Sequence, residues 1–454
     1  MPAFRLPRTL PVCTDDDGDR RMKTPTAKQF ALVLIVALML RLSAGLWWQS
    51  RLEGRFGFGD SESYWTLAQT VAGGEPYQYG SEDVRIFRAP GYPLLLAPIF
   101  WLAGDNASIL WARGLSAVLG TLAVGGVWCV AWQLYNASTG MLAAAMAAVY
   151  PGAIAISALV LSEAAFCPLM LAQLALWIAA WNAPSARQAD GWAVAAGLAA
   201  GAATLVRPSW LLFTPGAVLV GMIAGRARRR HFRIGVGMLA GLIVVMTPWW
   251  VRNARLTGHF VPTTLQVGAS LYDGLNPTAN GASNMDFVGR FVEMERRRPA
   301  AEATGVSETF EYRLDQRLRT AALAWARVHP GRAARLAAVK LIRMWNVWPN
   351  EPKLSAWPIR LAVLGTYVPI LILGVVGATR TVHCGWPYLL CWLPAVYFTL
   401  LHLVFVSSIR YRQPVMLPLI VLAAGTIMAC RTRTTTHQQG NTNSDLHQQL
   451  TTAH

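Results

Sequence analysis

The chain has 454 residues, of which 54% are hydrophobic and only 14% are charged, and its formal net charge is +17. A soluble protein of this length would carry about 25% charged residues, so the composition excludes an ordinary soluble domain. Apolar runs of about 18 residues or more recur without alternation, which excludes a transmembrane β-barrel and predicts an all-α polytopic membrane protein. Nucleic-acid binding is excluded as the meaning of the charge, because the arginines flank apolar runs and no basic helix carries base-stacking aromatics.

The chain begins with a polar segment of mixed charge, residues 1–28, which is predicted to be a cytoplasmic tail. The apolar run after it exceeds the length of a signal peptide and lacks a small-residue cleavage site, which predicts an uncleaved first span. About ten spans are predicted in a membrane domain of residues 29–430: Gln29–Gln49, Ile109–Leu134, Gly140–Val160, Ala164–Trp181, Gly191–Val206, Trp210–Gly225, Ile234–Val251, Trp357–Ala378, Trp386–Val406 and Pro414–Cys430. The polar, low-complexity residues 431–454 are predicted to be a disordered cytoplasmic tail.

One apolar stretch, Gly91–Gly104, is too short to cross a membrane and contains two prolines, so we expect a re-entrant or interfacial helix. If it does not cross, the run "RARRRHFR" (Arg226–Arg233) lies on the cytoplasmic side with the other basic span ends. Two loops then face outward, at about residues 50–108 and 252–349. Short loops rich in Lys and Arg are usually cytoplasmic, so the arginines of the first loop count mildly against this orientation. Long loops such as the second are largely exempt from this positive-inside rule.

Acidic and basic residues collect at the outer ends of several predicted spans. They are Asp60 and Glu62 in "GFGDSESYW", Arg85 and Arg88 before "APGYP", Glu163 in "LVLSEAAF", Arg207 in "LVRPSW", and Arg410 and Arg412 in "SSIRYRQP". Each has a simpler interpretation as well: a single arginine can snorkel to lipid headgroups, Glu163 can cap a helix, and Asp60 can be a solvated loop acid. Arg41, inside the first span, is expected to snorkel or to pair structurally.

These residues suit a particular chemistry. Inverting transfer of a sugar requires a base to take the proton of the acceptor hydroxyl. If the leaving group is a lipid phosphate, its growing charge requires arginine or a metal ion. The phosphate candidates are Arg85, Arg88, Arg207, Arg410 and Arg412, and Glu62 is a further candidate for substrate contact. Three aromatic residues of the outer loops are suited to contact a sugar substrate: Tyr64, Tyr92 and Tyr272.

Several stretches, in this order, resemble a membrane glycosyltransferase of superfamily C, in the protein O-mannosyltransferase and lipid A aminoarabinose transferase branch (glycosyltransferase family 39-like). They are "GDSESYWTLAQTVAGG", "RAPGYPLLLAPIFWLAG", "YPGAIAISALVLSEAAF", "LVRPSWLLFTPGA", "PWWVRNARLTGHFVPTTLQVGASLYDGLNP" and "RYRQPVMLPLIVLAA". Residues from about 281 to 335 and both tails lie outside the resemblance.

The resemblance implies a polyprenyl-phosphate sugar donor and transfer on the extracytoplasmic side of the cell membrane. The distribution of basic residues predicts that both termini are cytoplasmic. It makes Asp60 the candidate general base. It matches Glu163 to an acidic position that is Asp in many members, so the role of Glu163 stays open between catalysis, metal contact and substrate contact. A divalent metal ion held by Asp60 and Glu163 is the one cofactor considered, although no ligand-spacing motif is present.

The expected partners are the lipid-linked donor, membrane lipids, and an envelope lipid, glycan or protein acceptor. The alternative is a transporter or a ligase of lipid-linked glycans. A transporter should show paired half-chain repeats and acidic residues near span centres. No such repeat is evident, and the acidic residues lie at span ends.

Overall fold

The structure is a computed structural model that describes residues 25–297, 309–348 and 356–451, with side chains described as far as Arg431. Within these ranges the secondary structure is helical, without strands, so the predicted all-α class is confirmed. In chain order the helices are α1 (Ala27–Arg51), α2 (Gly59–Ala72), α3 (Gly91–Ala103), α4 (Ile109–Leu134), α5 (Ala137–Val149), α6 (Pro151–Ala158), α7 (Ser162–Asn182), α8 (Ala186–Val206), α9 (Phe213–Ala224), α10 (Arg228–Thr257), α11 (Val267–Gly274), α12 (Phe287–Arg296), α13 (Phe310–Val328), α14 (Pro330–Trp345), α15 (Trp357–Thr381), α16 (Trp386–Leu389), α17 (Leu393–Val404) and α18 (Ile409–Thr451).

Seven of the described helices are long and apolar enough to cross a membrane, and the bent pair α5–α6 raises that number to eight. All eight were among the ten predicted spans. The other two, Trp210–Gly225 and Trp386–Val406, contain the shorter apolar helices α9 and α17, of 12 residues each. A separate turn at Pro208–Trp210 precedes α9, and the four-residue α16 precedes α17, so each predicted span is broken near its start. Helix α3, with 13 residues, has the short length expected of Gly91–Gly104.

The bend between α5 and α6 has a local cause. Pro151 is the first residue of α6, and a residue before proline is disfavoured from the helical conformation, so Tyr150 adopts an extended one. The two helices meet at an angle of 56°. The break leaves carbonyl groups at the end of α5 without helical partners, and the buried guanidinium of Arg41 donates to the carbonyl oxygens of Ala147 and Ala148 at 3.2 and 3.1 Å. Arg41 therefore has a structural pairing role.

Helices α8 and α10 pack closely because both carry small residues at helical spacing. A Cβ atom added to Gly197 would lie 2.1 Å from the carbonyl oxygen of Met238, and one added to Gly241 would lie 2.4 Å from that of Val194. These distances leave room only for glycine, as the small-residue pattern predicts.

The segments between α1 and α4 and between α10 and α15 pack on each other at one end of the bundle. Tyr64 of α2 meets Tyr92 of α3 edge to face, with ring centroids 5.1 Å apart. Glu311, in the first turn of α13, accepts hydrogen bonds from the backbone N–H groups of Arg85 and Ile86 at 2.9 and 2.8 Å. The two predicted outer loops are therefore joined directly.

The arginine-rich run lies at the opposite end of the bundle. Arg233 forms an ion pair with Asp190, near the start of α8, at 2.7 Å, and Arg230 donates to the carbonyl oxygen of Trp181, near the end of α7. The two tails predicted from sequence are not tested: residues 1–24 lie outside the described ranges, and α18 continues to Thr451 through residues whose side chains are not described beyond Arg431.

Candidate active site

Four helix ends bring charged side chains together beside the joined loops. Asp60 lies in the first turn of α2 and Glu163 in the first turn of α7, where the helix dipole favours a carboxylate. Arg207 follows α8 directly, because Pro208 favours an extended conformation for the residue before it. Arg410 lies in the first turn of α18. These positions are distant in sequence, and the packing of the helices makes them neighbours.

Asp60 is held by two arginines. Nη2 of Arg88 lies 2.7 Å from its Oδ1, and Nη1 of Arg410 lies 3.0 Å from its Oδ2. Burial alone would raise the pKa of Asp60, but the two guanidinium groups outweigh this effect and lower the pKa to about 2. The side chain remains 33% exposed. Asp60 is thus an ionised carboxylate that a second molecule can reach.

Glu163 has different surroundings, since its side chain is fully buried. Arg410 donates to both carboxylate oxygens, through Nε to Oε1 and through Nη2 to Oε2 at 3.2 Å. Nη1 of Arg207 lies 3.0 Å from Oε1. This two-pronged contact fixes the plane of the Arg410 guanidinium and leaves its third nitrogen, Nη1, for Asp60. The geometry suits Glu163 to positioning arginines rather than to direct proton transfer.

Arg88 is oriented by two residues that were not among the sequence candidates, Ser63 and Gln266, and by one that was, Tyr64. Its Nε donates to Oγ of Ser63 at 3.0 Å, and its Nη1 donates to Oε1 of Gln266 at 2.8 Å. Its Cζ lies 5.2 Å from the ring centroid of Tyr64. Ser63 and Gln266 both lie in stretches that carry the family resemblance, but neutral side chains gave no separate signal in the sequence.

Two candidates point away from the cluster because of helix periodicity. Residues two apart on a helix lie on nearly opposite faces. Arg412 therefore donates to the carbonyl oxygens of Met344 and Asn346, and its Cζ lies 3.7 Å from the ring centroid of Tyr367. In α2, Glu62 is exposed to solvent, whereas Asp60 faces the arginines.

The three remaining candidates lie around the cluster or farther from it. Tyr92 is buried behind Tyr64, with its hydroxyl 3.3 Å from Oγ of Ser116. Arg85 is fixed through its backbone, which donates to Glu311 and accepts from Arg252. Tyr272 packs on Phe287 and Phe291 of α12, with centroid distances of 4.8 and 5.0 Å, in a separate aromatic group of the second loop.

The candidate metal site has a guanidinium between its two carboxylates. All four carboxylate oxygens of Asp60 and Glu163 are within bonding distance of arginine nitrogens. Across the part of the chain that the structure describes, no three His, Cys, Asp or Glu side chains form a group that could hold a metal ion. As arranged, the donor set does not fit a divalent ion, which would have to take the place of Arg410.

The cluster of Asp60, Glu163, Arg88, Arg207 and Arg410 contains three cations and two anions, a formal net charge of +1. It is largely buried, so the excess positive charge is poorly screened by water. Such a site is suited to a ligand with one negative charge. The accessible carboxylate of Asp60 lies beside the excess positive charge of the arginines. A reaction that removes a proton next to an anionic leaving group requires both.

Comparison with known proteins identifies a matching family and structures of similar fold. The sequence model of the family described as dolichyl-phosphate-mannose-protein mannosyltransferase matches residues 88–251. A search of curated proteins finds no match. Among solved structures, the apo oligosaccharyltransferase of Archaeoglobus fulgidus aligns with a TM-score of 0.53 at 15% identity, over 87% of this chain and 50% of that one. The same archaeal enzyme, AglB, in complex with an inhibitory peptide and a dolichol-phosphate gives 0.53 at 14% identity, with the same coverage.

ArnT from Cupriavidus metallidurans bound to undecaprenyl phosphate aligns over 89% of this chain and 78% of that one, at 17% identity and a TM-score of 0.43. By comparison, the chain spans about half the length of the archaeal oligosaccharyltransferase. At these identities the structural likeness is one of fold. The family match and the shared fold confirm the predicted resemblance to superfamily C membrane glycosyltransferases.

Proposed function

We propose that this chain transfers a sugar from a polyprenyl-phosphate donor to a hydroxyl group of an envelope lipid, glycan or protein on the extracytoplasmic face of the membrane. The observation that carries the proposal is the accessible carboxylate of Asp60 between Arg88 and Arg410. The match to the family described as dolichyl-phosphate-mannose-protein mannosyltransferase and the dolichol-phosphate in the AglB complex support the choice of donor.

In the proposed reaction, the acceptor hydroxyl attacks the anomeric carbon of the sugar from the side opposite the phosphate. A carbon–oxygen bond forms there as the bond from the anomeric carbon to the phosphate oxygen breaks. The electron pair leaves with the polyprenyl phosphate, and Asp60 takes the hydroxyl proton. Because attack and departure occur on opposite faces of the anomeric carbon, its configuration inverts. Arg410 and Arg88 stabilise the charge that grows on the phosphate, because guanidinium groups bind its oxygens strongly.

The same arginines also set the basicity of Asp60. With Arg88 and Arg410 on its oxygens, the carboxylate is a weak base, because its pKa is about 2. A donor phosphate competes for both guanidinium groups and so weakens their hold on Asp60. The base therefore strengthens when the donor is in place, which links proton abstraction to donor binding.

The proposal is tested with purified protein in detergent or vesicles and a panel of donors. The panel contains polyprenyl-phosphate monosaccharides and a polyprenyl-diphosphate disaccharide, and the released lipid phosphate is measured together with sugar incorporation into envelope extracts. We expect a monophosphate donor to be used, because the cluster has a single excess positive charge. Use of the diphosphate donor alone would favour the glycan-ligase alternative, and use of none would contradict the proposal.

The variant Asp60→Asn separates the base from the binding site, since asparagine keeps the size but cannot take the proton. We expect turnover to fall by about 100-fold or more, as is typical for loss of a general base. Extraction yield and melting temperature serve as controls for folding. Turnover close to that of the parent would exclude Asp60 as the base.

A further inference from the structure

Next to Glu163, aromatic rings border the cluster beside two unsatisfied polar atoms. The rings of Phe166, Phe398 and Tyr411 lie around the guanidinium of Arg207, and the ring of His402 stacks on that of Tyr411. Nε of Arg207 and Nε2 of His402 are buried without a hydrogen-bond partner among the residues that the structure describes. Arg207 is 8% exposed and His402 is 6% exposed. A buried polar atom without a partner is costly, so a hydrogen bond from a ligand to either atom would relieve that cost.

The hydrogen bond of the other ring nitrogen of His402 shows what Nε2 can bind. Nδ1 lies 2.7 Å from the carbonyl oxygen of Val406. A carbonyl oxygen can only accept, so Nδ1 carries the proton of the neutral imidazole. Nε2 is then a hydrogen-bond acceptor. The Nε–H of Arg207 is always a donor.

The two atoms belong to side chains that share the same neighbours. The Cζ of Arg207 lies 5.8 Å from the ring centroid of Phe398 and 5.5 Å from that of Tyr411. The ring of His402 stacks on the same two rings, at 6.1 and 4.2 Å. Arg207 is also the direct partner of Glu163. A donor and an acceptor thus lie beside the same two rings, next to the cluster that we propose as the active site.

We infer that this Arg207–His402 pair binds one hydroxyl, or two adjacent hydroxyls, of the donor's neutral sugar ring, with the hydroxyl hydrogen on His402 and a hydroxyl oxygen on Arg207. A hydroxyl is suited to both atoms because it donates and accepts. A phosphate oxygen would face the lone pair of Nε2, and an ammonium group would face the guanidinium of Arg207. The inference rests on the proposed function and makes His402 a residue that selects a hydroxylated sugar over an amino sugar.

Binding of sugar-free and sugar-bearing lipids separates this role from a structural one. The probes are undecaprenyl phosphate and its mannosyl, glucosyl, galactosyl and 4-amino-4-deoxyarabinosyl esters, and their affinities are measured on the purified full-length protein. His402→Phe keeps an aromatic ring but removes the acceptor. We expect it to weaken binding of the best hexosyl ester by about 10- to 100-fold and to leave the affinity for undecaprenyl phosphate within twofold. The parent should prefer that ester to the amino sugar.

Two further variants complete the design. His402→Gln retains an acceptor atom, so it should recover most of the lost affinity. His259→Phe is the matched control, because His259 stacks on Tyr312 at 4.3 Å, as His402 does on Tyr411, but it lies in the second outer loop. This control should bind every probe like the parent.

Three results would overturn the inference. Equal weakening of sugar-free and sugar-bearing lipids by His402→Phe would indicate a structural or phosphate-binding role. Unchanged binding of both would mean that the Arg207–His402 pair does not contact the sugar, even if turnover of a polyprenyl-phosphate sugar had established the proposed function. A parent protein that binds none of the probes would remove the proposed function and this inference together.

Discussion

At the scale of single residues, the central feature is the division of work between two carboxylates that share one arginine. Asp60 and Glu163 both bind Arg410, but only Asp60 is open to solvent. The fully buried Glu163 requires the positive charge of Arg410 and Arg207, because an unpaired carboxylate in that position would be costly. Arg410 in turn reaches Asp60 with the one nitrogen that Glu163 leaves.

Replacing Arg410 by lysine tests whether this geometry matters for the donor. Lysine keeps the charge and would snorkel equally well, but it cannot span Asp60 and Glu163 with three nitrogens. We expect Arg410→Lys to lower donor-dependent kcat/KM by about 10- to 100-fold, which corresponds to a lost charged hydrogen bond. The measurement is donor-dependent turnover across donor concentrations.

Arg412→Lys is the matched comparison, two residues along the same helix. Because Arg412 binds backbone carbonyls and Tyr367, we expect this variant to lower the melting temperature rather than the affinity for the donor. Parental turnover in Arg410→Lys would show that Arg88 or Arg207 holds the phosphate.

All five residues of the cluster were sequence candidates, because charged residues at span ends are rare and conspicuous. Charge and spacing alone do not separate Arg410 from Arg412, or Asp60 from Glu62, because that choice depends on which face of a helix is buried; only the family resemblance favoured Asp60 as the base. Gln266 and His402 were missed, since each is an ordinary polar residue until the fold places it beside Arg88 or Arg207. The roles of all these residues remain proposals.

At the scale of helices, the start of α3 sets the position of the arginine that follows α8. A Cβ atom added to Gly91 would lie 2.7 Å from the backbone of Leu205 and Val206, directly before Arg207. Only glycine lets α3 approach so closely. The glycine of "APGYP" therefore has a packing role that the sequence alone did not reveal.

We expect Gly91→Ala to push α3 and the end of α8 apart and to displace Arg207. The cost should be about 1–3 kcal/mol in stability, as for overpacking elsewhere, together with a several-fold loss of turnover. Gly114→Ala in α4 is the control, because a Cβ atom there meets nothing within 4 Å. Melting temperature and turnover of the two variants should differ clearly, and equal values would contradict this account.

The contact between Glu311 and the first loop predicts a pH dependence. Burial raises the pKa of Glu311 from 4.5 to about 7, although the backbone N–H groups of Ile86 and Arg85 oppose that rise. The folded state thus favours the protonated form of Glu311. The resulting contribution to the free energy of unfolding is complete below pH 4.5 and is lost as the pH rises through about 7. At about 1.4 kcal/mol per pH unit, the loss amounts to about 3 kcal/mol.

Glu311→Gln removes the titrating group and keeps an acceptor for the two N–H groups. We expect the melting temperature of the parent to fall between pH 5 and pH 8 and that of the variant to fall less. Glu293→Gln, at an exposed position of α12, should behave like the parent. Identical slopes for Glu311→Gln and the parent would contradict the assignment.

At the scale of the whole molecule, the apolar runs predicted the helical architecture and most span positions well, because length and hydropathy determine them. The lengths of the two short helices α9 and α17 were overestimated, since a continuous apolar sequence does not reveal where a turn interrupts a helix. The sidedness remains a prediction, but the structure places the cluster and the run Arg226–Arg233 at opposite ends of the bundle.

Single-cysteine labelling in a cysteine-free background tests the orientation. A cysteine at Ala334, exposed on α14, should be labelled by a membrane-impermeant reagent in intact cells. One at Ala227 should be labelled only after permeabilisation. Labelling of Ala227 in intact cells would reverse the proposed orientation.

The ion pair between Asp60 and Arg410 joins positions 350 residues apart. During biosynthesis, Asp60 therefore leaves the ribosome long before the guanidinium that completes its surroundings. Every intermediate that lacks α18 has the carboxylates of α2 and α7 without Arg410, and it cannot perform the proposed transfer. Insertion of α18 thus acts as a timing step, and truncated products that lack α18 would be inert in the membrane.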